Sequence, residues 1–319
     1  MKGAFELNEV DKVEILTLQD NYIDITASDN NGIISRAREL LHGATGKSVR
    51  AEHGFSAVVK TTRNGETRAM LFDFGFSEDG AAHNAEILGV EMRDIEVMAL
   101  SHGHYDHFGG LESLVQMIDR ERIELVVHPG VFRHPRYIKT STDFNRELPE
   151  FTRERVDKAG VALVETKEPL YLLGGDVLFL GEIERKTSFE RGMPNAFFME
   201  DGIEKRDLIE DDTSVVMNLK GKGLIVLSGC AHSGIINSTS YAKSVTGINK
   251  VHVIMGGFHL GGPLFEPIIG RTTEELKKID PAYIIPCHCT GRNASVRIER
   301  EMPDQFILNM SGTKLTFSA

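Results

Sequence analysis

The amino-acid sequence predicts a layered α/β (α+β) protein with its sheets inside and its helices outside. Short apolar, β-branched segments are concentrated in the first and last thirds of the chain, and helix-periodic segments lie between them. Because a sheet covered by helices buries both kinds of element, this alternation favours a layered arrangement. Four of the apolar segments also run directly into small residues and a histidine, which indicates a cleft shared by several strand ends.

The elements of the first 130 residues follow from hydrophobic periodicity and from turn signals. Arg63-Asn64-Gly65 separates two β-branched runs and therefore predicts a hairpin. Residues 43–48 look like a phosphate-binding loop, but Leu41 replaces its first glycine, so a loop that ends a helix is predicted. In chain order we predict strands 13–18 and 22–26 joined by a turn at Asp20-Asn21, a helix over 33–41, hairpin strands 55–61 and 67–74, a helix over 81–88, a strand over 95–100, a helix over 111–120 and a strand over 125–128.

The rest of the chain divides into an irregular part and an ordered part. Residues 131–212 are polar and predict an insertion or cap, with a helix over 151–159 and a hairpin-like piece near Gly174-Gly175. With 319 residues, one elaborated domain over 1–319 that carries this insertion is expected. The ordered part predicts strands 214–219 and 224–227 paired around 221–223, a strand over 251–255, a helix over 272–279 ended by Asp280-Pro281, and a strand over 283–285.

Composition excludes several classes of protein. The formal net charge is −11 and no block of Lys and Arg stands out, which argues against nucleic acid as a partner. No run approaches the ~18 apolar residues of a membrane span, and the first residues do not resemble a signal peptide, so a cytoplasmic protein without a membrane partner is expected. Three cysteines are too few for a disulfide framework. A homo-oligomer is compatible with the sequence.

The densest group of potential metal ligands follows the predicted strand 95–100. The sequence there reads Ser101-His102-Gly103-His104-Tyr105-Asp106-His107-Phe108-Gly109-Gly110. In an extended chain, side chains two positions apart share a face, so His102 and His104 are expected to enter one pocket. Asp106 and His107 follow where the chain turns into a helix and reach a neighbouring point. The pattern predicts two metal ions, which in two-metal hydrolytic sites lie about 3.5–4 Å apart.

Three later apolar strands also end in small residues and a histidine. Any one of these histidines alone is more typical of a structural residue, but three in succession predict that the strand ends gather around one cleft. The motifs are Ser228-Gly229-Cys230-Ala231-His232, Gly256-Gly257-Phe258-His259 and Pro286-Cys287-His288-Cys289-Thr290-Gly291.

The pattern His-x-His-x-Asp-His after a buried strand resembles the metallo-β-lactamase superfamily, and this implies a four-layered αββα sandwich. Asp73 matches the upstream aspartate that supports the metal loop, and His288 after Pro286-Cys287 matches the last histidine ligand. Further motifs, spread from about residue 13 to the C-terminus, resemble the branch of 7,8-dihydropterin-6-methyl-4-(β-D-ribofuranosyl)aminobenzene-5'-phosphate synthase-like proteins. These motifs are 51–56, 181–185, 228–234, 256–260 and 286–291.

The chain departs from the superfamily pattern at two motifs. The stretch Glu210-Asp211-Asp212-Thr213-Ser214 lacks the usual third-motif histidine, and Cys230 stands where the fourth motif has aspartate. His232 is therefore expected to supply a ligand. Whether Cys230, Asp212 or His259 completes the coordination is left open, with a structural or supporting role favoured for Cys230. A thiolate ligand would favour zinc or iron over magnesium.

These observations lead to a hypothesis of two divalent metal ions, zinc first, with iron and manganese as alternatives. The ions would activate water and stabilise charge on the leaving oxygens. Asp106 and His259 are predicted catalytic groups, and His53 and His259 are predicted to contact substrate. One ion is assigned to His102, His104 and His232, and the other to Asp106, His107 and His288.

Two classes of function remain in competition. The first is hydrolysis or group transfer on a phosphorylated small molecule. The resemblance implies transfer of a dihydropterin-methyl group from its diphosphate ester onto a ribofuranosyl-aminobenzene phosphate. The alternative is a di-iron redox or sensor protein of the same fold, although Gly103 replaces the acidic residue usual there and no flavin-binding domain fits in the chain. A purely structural metal site is disfavoured, because structural sites rarely combine histidine with aspartate under glycine-rich loops.

Overall fold

The structure of the protein is a computed structural model, which describes residues 4–41, 46, 48–140 and 144–319. The predicted loop over 43–48 lies outside the described residues apart from positions 46 and 48, and so do the first three residues of the N-terminal segment. None of the helices in the described ranges has the length and apolar character needed to cross a bilayer.

The strands account for most of the regular structure. They are β1 (Glu9–Val10), β2 (Lys12–Gln19), β3 (Ile34–Ser35), β4 (Ser56–Arg63), β5 (Glu66–Phe72), β6 (Ile95–Ala99), β7 (Glu124–Val127), β8 (Arg136–Lys139), β9 (Asn145–Glu147), β10 (Ala162–Glu165), β11 (Leu170–Leu172), β12 (Val177–Phe179), β13 (Ala196–Glu200), β14 (Ile203–Arg206), β15 (Ser214–Leu219), β16 (Gly223–Ser228), β17 (Val251–Gly257), β18 (Tyr283–Cys287) and β19 (Lys314–Ser318).

The helices lie between these strands. They are α1 (Ala37–Leu40), α2 (Gly80–Ile87), α3 (Tyr105–Phe108), α4 (Leu111–Ile118), α5 (Arg153–Ala159), α6 (Ile235–Thr246), α7 (Glu266–Ile279) and α8 (Arg292–Glu301).

Two large sheets and one small sheet organise the strands. The first sheet has the order β10-β7-β6-β5-β4-β2-β19-β3. The second has the order β11-β12-β15-β16-β17-β18, with β1 paired to β15. Strands β5, β6 and β7 are parallel in the first sheet, and β16, β17 and β18 are parallel in the second. Parallel strands deliver their carboxyl ends to the same edge, and this edge positions the candidate site.

The hydrophobic core lies between the two large sheets and on their outer faces. Side chains alternate along a strand, so Val59 and Met70 enter the central core while Val58 and Leu71 face the helices. Helices α2, α4 and α5 cover the first sheet, and α6, α7 and α8 cover the second. The order of layers is therefore helix, sheet, sheet, helix, and the predicted α/β fold class is confirmed.

Most predicted elements agree with the structure, including the β4–β5 hairpin and the β15–β16 pair. The strand predicted over 22–26 is wrong, because this largely exposed segment forms bends and turns. The predicted helix over 33–41 is also wrong in its first part, since Ile34–Ser35 pairs with β19 and only Ala37–Leu40 is helical. Helices α6 and α8 were not predicted.

Residues 131–212, predicted as an insertion or cap, contribute to all three sheets. Strands β8, β9, β13 and β14 form the small sheet, whereas β10 joins the first large sheet and β11 and β12 join the second. Helix α5 packs through Val156 on the first sheet's outer core. The part of this range that stands apart from the two large sheets is therefore the small sheet, which lies along one side of the candidate site.

Candidate metal centre

The candidate site is built from loops that leave the carboxyl ends of the central strands. Asp73 follows β5 directly, and His102 lies three residues after the end of β6. In the second sheet Cys230 follows β16, His259 follows β17 and His288 follows β18. The two sheets meet at this edge, because the Cα of Gly229 approaches Ser101 and Asp73 so closely that a Cβ there would lie 2.1 Å from Ser101 Oγ.

The first group of potential ligands consists of His102, His104 and His232. One nitrogen from each ring lies within 4.8 Å of the others, and His232 Nε2 is 3.2 Å from His104 Nδ1. Burial lowers the pKa of His102 and His232 well below the usual value and that of His104 to about 4, with charged neighbours adding to the effect. All three rings are therefore neutral near pH 7, which is the form that binds metals.

The second group consists of Asp106, His107, Cys230 and His288. His107 Nε2 lies 3.1 Å from Cys230 Sγ and 3.2 Å from His288 Nε2, and His288 Nε2 lies 3.3 Å from Asp106 Oδ2. Burial would raise the pKa of Asp106, but His107 and His288 hold it well below its usual range. This group therefore combines a carboxylate, two imidazoles and a thiol around one point.

Carboxylates contact both histidines of the second group, Asp73 at the ring of His107 and Asp20 at the backbone of His288. His107 Nδ1 is 2.6 Å from Asp73 Oδ2, and both side chains are fully buried. Burial would lower the pKa of His107, but Asp73 and Asp106 raise it to about 9. Asp20 accepts a hydrogen bond from the backbone N–H of His288 at 2.9 Å. A carboxylate behind a ligating histidine fixes its ring orientation and its protonated nitrogen.

The first group is supported by Ser101, whose Oγ lies 2.9 Å from His102 Nδ1, and through the backbone of Gly103. The N–H of Gly103, between His102 and His104, donates to Asp211 Oδ2 at 2.8 Å. Asp211 in turn bonds to the buried guanidinium of Arg136 on β8, which also contacts Asp207 at 2.9 Å. Strand β8 of the small sheet thus holds the loop that carries the first two histidines.

Four non-glycine residues of these loops have left-handed backbone conformations. They are Asp73, Ala231, His259 and His288, with φ values of 58°, 50°, 46° and 47°. Such residues cost of order 1–3 kcal/mol each when the conformation is strained, and they cluster at functional sites. One lies in each of four strand-end loops, so packing and hydrogen bonds from both sheets must hold this edge in place.

The donor atoms fit bound metal ions. His102 Nε2 is buried and has no hydrogen-bond partner among the described residues. Burying an imidazole nitrogen without a partner costs about 1–3 kcal/mol, and a metal ion would satisfy it. The negative charge that raises the pKa of His107 would equally favour a cation in the second group.

Comparison with known proteins identifies the family. A family model described as the metallo-beta-lactamase superfamily matches residues 49–288. The chain belongs to the metallo-beta-lactamase superfamily. The predicted family resemblance is confirmed, and the matched range contains both ligand groups.

Relatives within the superfamily match along nearly the whole chain. The 7,8-dihydropterin-6-methyl-4-(beta-D-ribofuranosyl)-aminobenzene-5'-phosphate synthase of Methanocaldococcus jannaschii is 30% identical over 308 residues, which are 94% of this chain and 95% of that protein. An uncharacterized protein of the same organism is 29% identical over 261 residues, covering 82% of this chain and 93% of its own. A crystal structure of a metal-dependent hydrolase of the beta-lactamase superfamily superposes with a TM-score of 0.70 at 24% identity, covering 96% of this chain and all of the other.

A cavity of about 390 Å³ opens onto both ligand groups of this superfamily member. Its lining includes His104, Asp106 and His232 from the two groups. His53, predicted to contact substrate, lies on its rim, with Nε2 3.4 Å from Asp106 Oδ2. His259 also lines it, and the His259 ring centroid is 4.1 Å from that of His232. The cavity is the space in which a substrate would meet the ligand groups.

The structure brings all the sequence-predicted site residues to this one edge. Cys230, for which a supporting role was favoured, lies among the potential ligands of the second group, and with His259 and Cys289 it also forms a third set of potential ligands. Asp212, left open as a ligand, is in neither group of the described residues and accepts a hydrogen bond from Ser233 N at 2.8 Å.

Sequence analysis missed four residues that support the site, namely Asp20, Ser101, Arg136 and Asp211. The predicted turn after the strand 13–18 is a sequence feature that could have indicated Asp20. No local sequence feature links Arg136 to the histidines.

Proposed function

We propose that this protein is a metal-dependent enzyme that hydrolyses or transfers a group on a phosphorylated small molecule. One observation carries the proposal: two groups of buried ligand atoms stand side by side and open onto one cavity. Structural metal sites are closed, whereas a reaction centre needs access for substrate.

The ligand groups suggest which residues would hold the ions. His102, His104 and His232 would hold one divalent ion, and Asp106, His107 and His288 the other, with Cys230 as a further ligand of the second. When bound, such a pair supplies Lewis acidity toward phosphoryl oxygens and lowers the pKa of water. Zinc fits the mixture of imidazole, carboxylate and thiol donors best, followed by iron.

The chain's own residues would bind the substrate and move protons. Asp106, ionised and facing the cavity, would accept a hydrogen bond from the attacking water or hydroxyl and orient it. His259 lines the cavity beside the first group and would donate a proton to the leaving oxygen. His53 and Arg146 line the same cavity and would contact anionic substrate oxygens there.

The substrate class is proposed from the similarity to the Methanocaldococcus jannaschii synthase. Its name implies a reaction that joins a dihydropterin-methyl group to a ribofuranosyl-aminobenzene phosphate, and the likeness extends over 94% of this chain. We therefore propose group transfer from a pterin-type diphosphate ester as the reaction to test first, with hydrolysis of a phosphodiester or related ester by the same centre as the second.

The test combines metal analysis with activity measurements on the purified protein. Protein loaded with zinc or manganese should contain two ions per chain and should cleave bis(p-nitrophenyl) phosphate or form the pterin–aminobenzene product from the two partners. His83→Ala, a histidine of α2 outside both ligand groups, serves as the control and should keep both properties. A coloured di-iron centre that undergoes reversible reduction, without either activity, would favour a redox or sensor protein and overturn the proposal.

A further inference from the structure

A second compartment adjoins the cavity of the metal centre. Its volume is about 330 Å³, and it shares His232 and His259 with the first cavity. Apolar side chains from two parts of the chain line it, among them Phe189, Phe258 and Phe265. Neither ligand group nor any step of the proposed reaction requires this apolar space, so the metal centre by itself does not explain the second compartment.

The imidazole of His259 forms the wall between the two compartments. Its ring centroid is 4.1 Å from that of His232 on one side and 4.6 Å from that of Phe265 on the other. The His259–Phe265 pair is edge-to-face, with an interplanar angle of 85°. A molecule that fills the second compartment therefore contacts His232 and His259, two residues that also line the cavity of the metal centre.

Two arginines give the second compartment a positive charge at its mouth. Arg191 and Arg206 line it and are both exposed. Both guanidinium groups donate to backbone carbonyls, from Arg191 Nε to Ser188 O at 2.8 Å and from Arg206 Nη2 to Arg191 O at 3.3 Å. Glu190 also lines the compartment, and its carboxylate accepts hydrogen bonds from the N–H groups of Ile236 and Asn237 at 2.9 Å and from Thr187 Oγ1 at 3.0 Å.

We propose that the second compartment binds an aromatic ring of the substrate and that Arg191 and Arg206 bind an anionic substituent of that ring. The proposal rests on the proposed function, since it adds a ring-binding subsite to the reaction centre. Aromatic and aliphatic walls favour a flat apolar ring, and guanidinium groups favour carboxylate or phosphate. In a protein of net charge −11, two neighbouring arginines that bond to backbone carbonyls and to no carboxylate of the described residues are a local exception.

Binding can be measured without turnover, because the chain contains no tryptophan. Leu264 lines the compartment and is 53% exposed, so Leu264→Trp places a fluorescent reporter at its rim. Val296→Trp, at a 45% exposed position on α8, is the matched control. The probe is 2-naphthoate, an aromatic ring with one carboxylate, titrated into the metal-loaded protein. We expect saturable quenching in Leu264→Trp and none in Val296→Trp.

Charge recognition is tested by adding Arg191→Ala and Arg206→Ala to the Leu264→Trp protein. Naphthoate should then bind at least tenfold more weakly, whereas the uncharged 2-naphthamide should bind with unchanged affinity. Removal of the metal ions with a chelator should leave the affinity for naphthoate unchanged, because the carboxylate lies at the arginines and not at the metals. Thermal unfolding of each variant verifies that it is folded.

The outcomes separate this inference from the proposed function. Equal quenching in both tryptophan variants, loss of naphthoate binding when the metal ions are removed, or identical affinity after removal of the arginines would overturn the ring-binding subsite. A protein that binds naphthoate as expected but cleaves or transfers nothing would instead overturn the proposed function. An active enzyme whose Leu264→Trp form shows no saturable quenching would leave the reaction standing and overturn the subsite.

Discussion

The two ligand groups of the metal centre are held in place in different ways. In the second group, carboxylates contact the ligands themselves: Asp73 bonds to the His107 ring and Asp20 to the His288 backbone. In the first group, support reaches the backbone of Gly103 from Asp211, which is held by Arg136. The second group is thus fixed within the two large sheets, whereas the first depends on the small sheet.

This difference has consequences for metal binding and for stability. A carboxylate behind an imidazole changes metal affinity directly, because it fixes the orientation and protonation of the ligand ring. Removing one member of a buried ion network lowers the free energy of unfolding, because its partner is left as an uncompensated buried charge. A substitution at the carboxylate behind the second group should therefore mainly change metal content, whereas a substitution in the ion network behind the first group should mainly change the free energy of unfolding.

The largest expected effect comes from removing one ligand of each group. His104→Ala should lose the ion of the first group, Asp106→Ala the ion of the second, and the double variant both. Activity of the double variant should fall by about three orders of magnitude, because Lewis-acid stabilisation is worth several kcal/mol at about 1.4 kcal/mol per tenfold in rate. Plasma mass spectrometry and phosphodiesterase assays measure this. Two retained ions in the double variant would refute the assignment of both groups.

The next effect concerns the network behind the first group. Arg136→Ala leaves Asp207 and Asp211 buried without their cation, so the free energy of unfolding should fall by about 3–5 kcal/mol. Urea denaturation measures this change, and metal loss should be greater from the first group than from the second. Arg93→Ala is the control, because its ion pair with Asp119 is exposed and should contribute less than about 1 kcal/mol. Equal changes in both variants would contradict the supporting role of the network.

A smaller effect is expected from the carboxylate behind the second group. Asp73→Asn keeps the shape of the side chain but removes the charge beside His107. Metal affinity of the second group should fall about 10- to 100-fold while the first group is unaffected. Competition with a chelator measures both affinities, and Asp94→Asn at an exposed position is the control. A uniform loss from both groups would show that Asp73 supports the whole edge and not one ligand.

The smallest effect is expected at the residue that contacts both groups. Ser101 Oγ donates to Asp73 at 2.7 Å and lies 2.9 Å from His102 Nδ1. Ser101→Ala should reduce the free energy of unfolding by about 1 kcal/mol, the net value of one hydrogen bond. Ser214→Ala is the matched control, because its buried hydroxyl has no partner among the described residues. If Ser101→Ala lowers the free energy of unfolding no more than Ser214→Ala does, Ser101 does not connect the two groups.

Sequence analysis predicted the parts of the centre that depend on local pattern. The spacing of His102, His104, Asp106 and His107 after a buried strand is a local property, and the structure brings these four side chains to one edge. The same reasoning failed at 22–26, where β-branched residues follow Asp20 but find no partner strand, because β19 occupies the place beside β2. Whether such a segment forms a strand depends on pairing with a strand that is distant in sequence, and not on its own β-propensity.

The sequence by itself determined the superfamily, the layered fold and the histidines at the ends of the strands, because short motifs and hydrophobic periodicity are local properties of the sequence. Only the tertiary structure decided how the ligands divide into two groups, that Cys230 joins the second, and that Asp211 and Arg136 support the first. These contacts join residues that are 34 to 181 positions apart. They depend on which strands become neighbours, and strand pairing is a property of the whole chain.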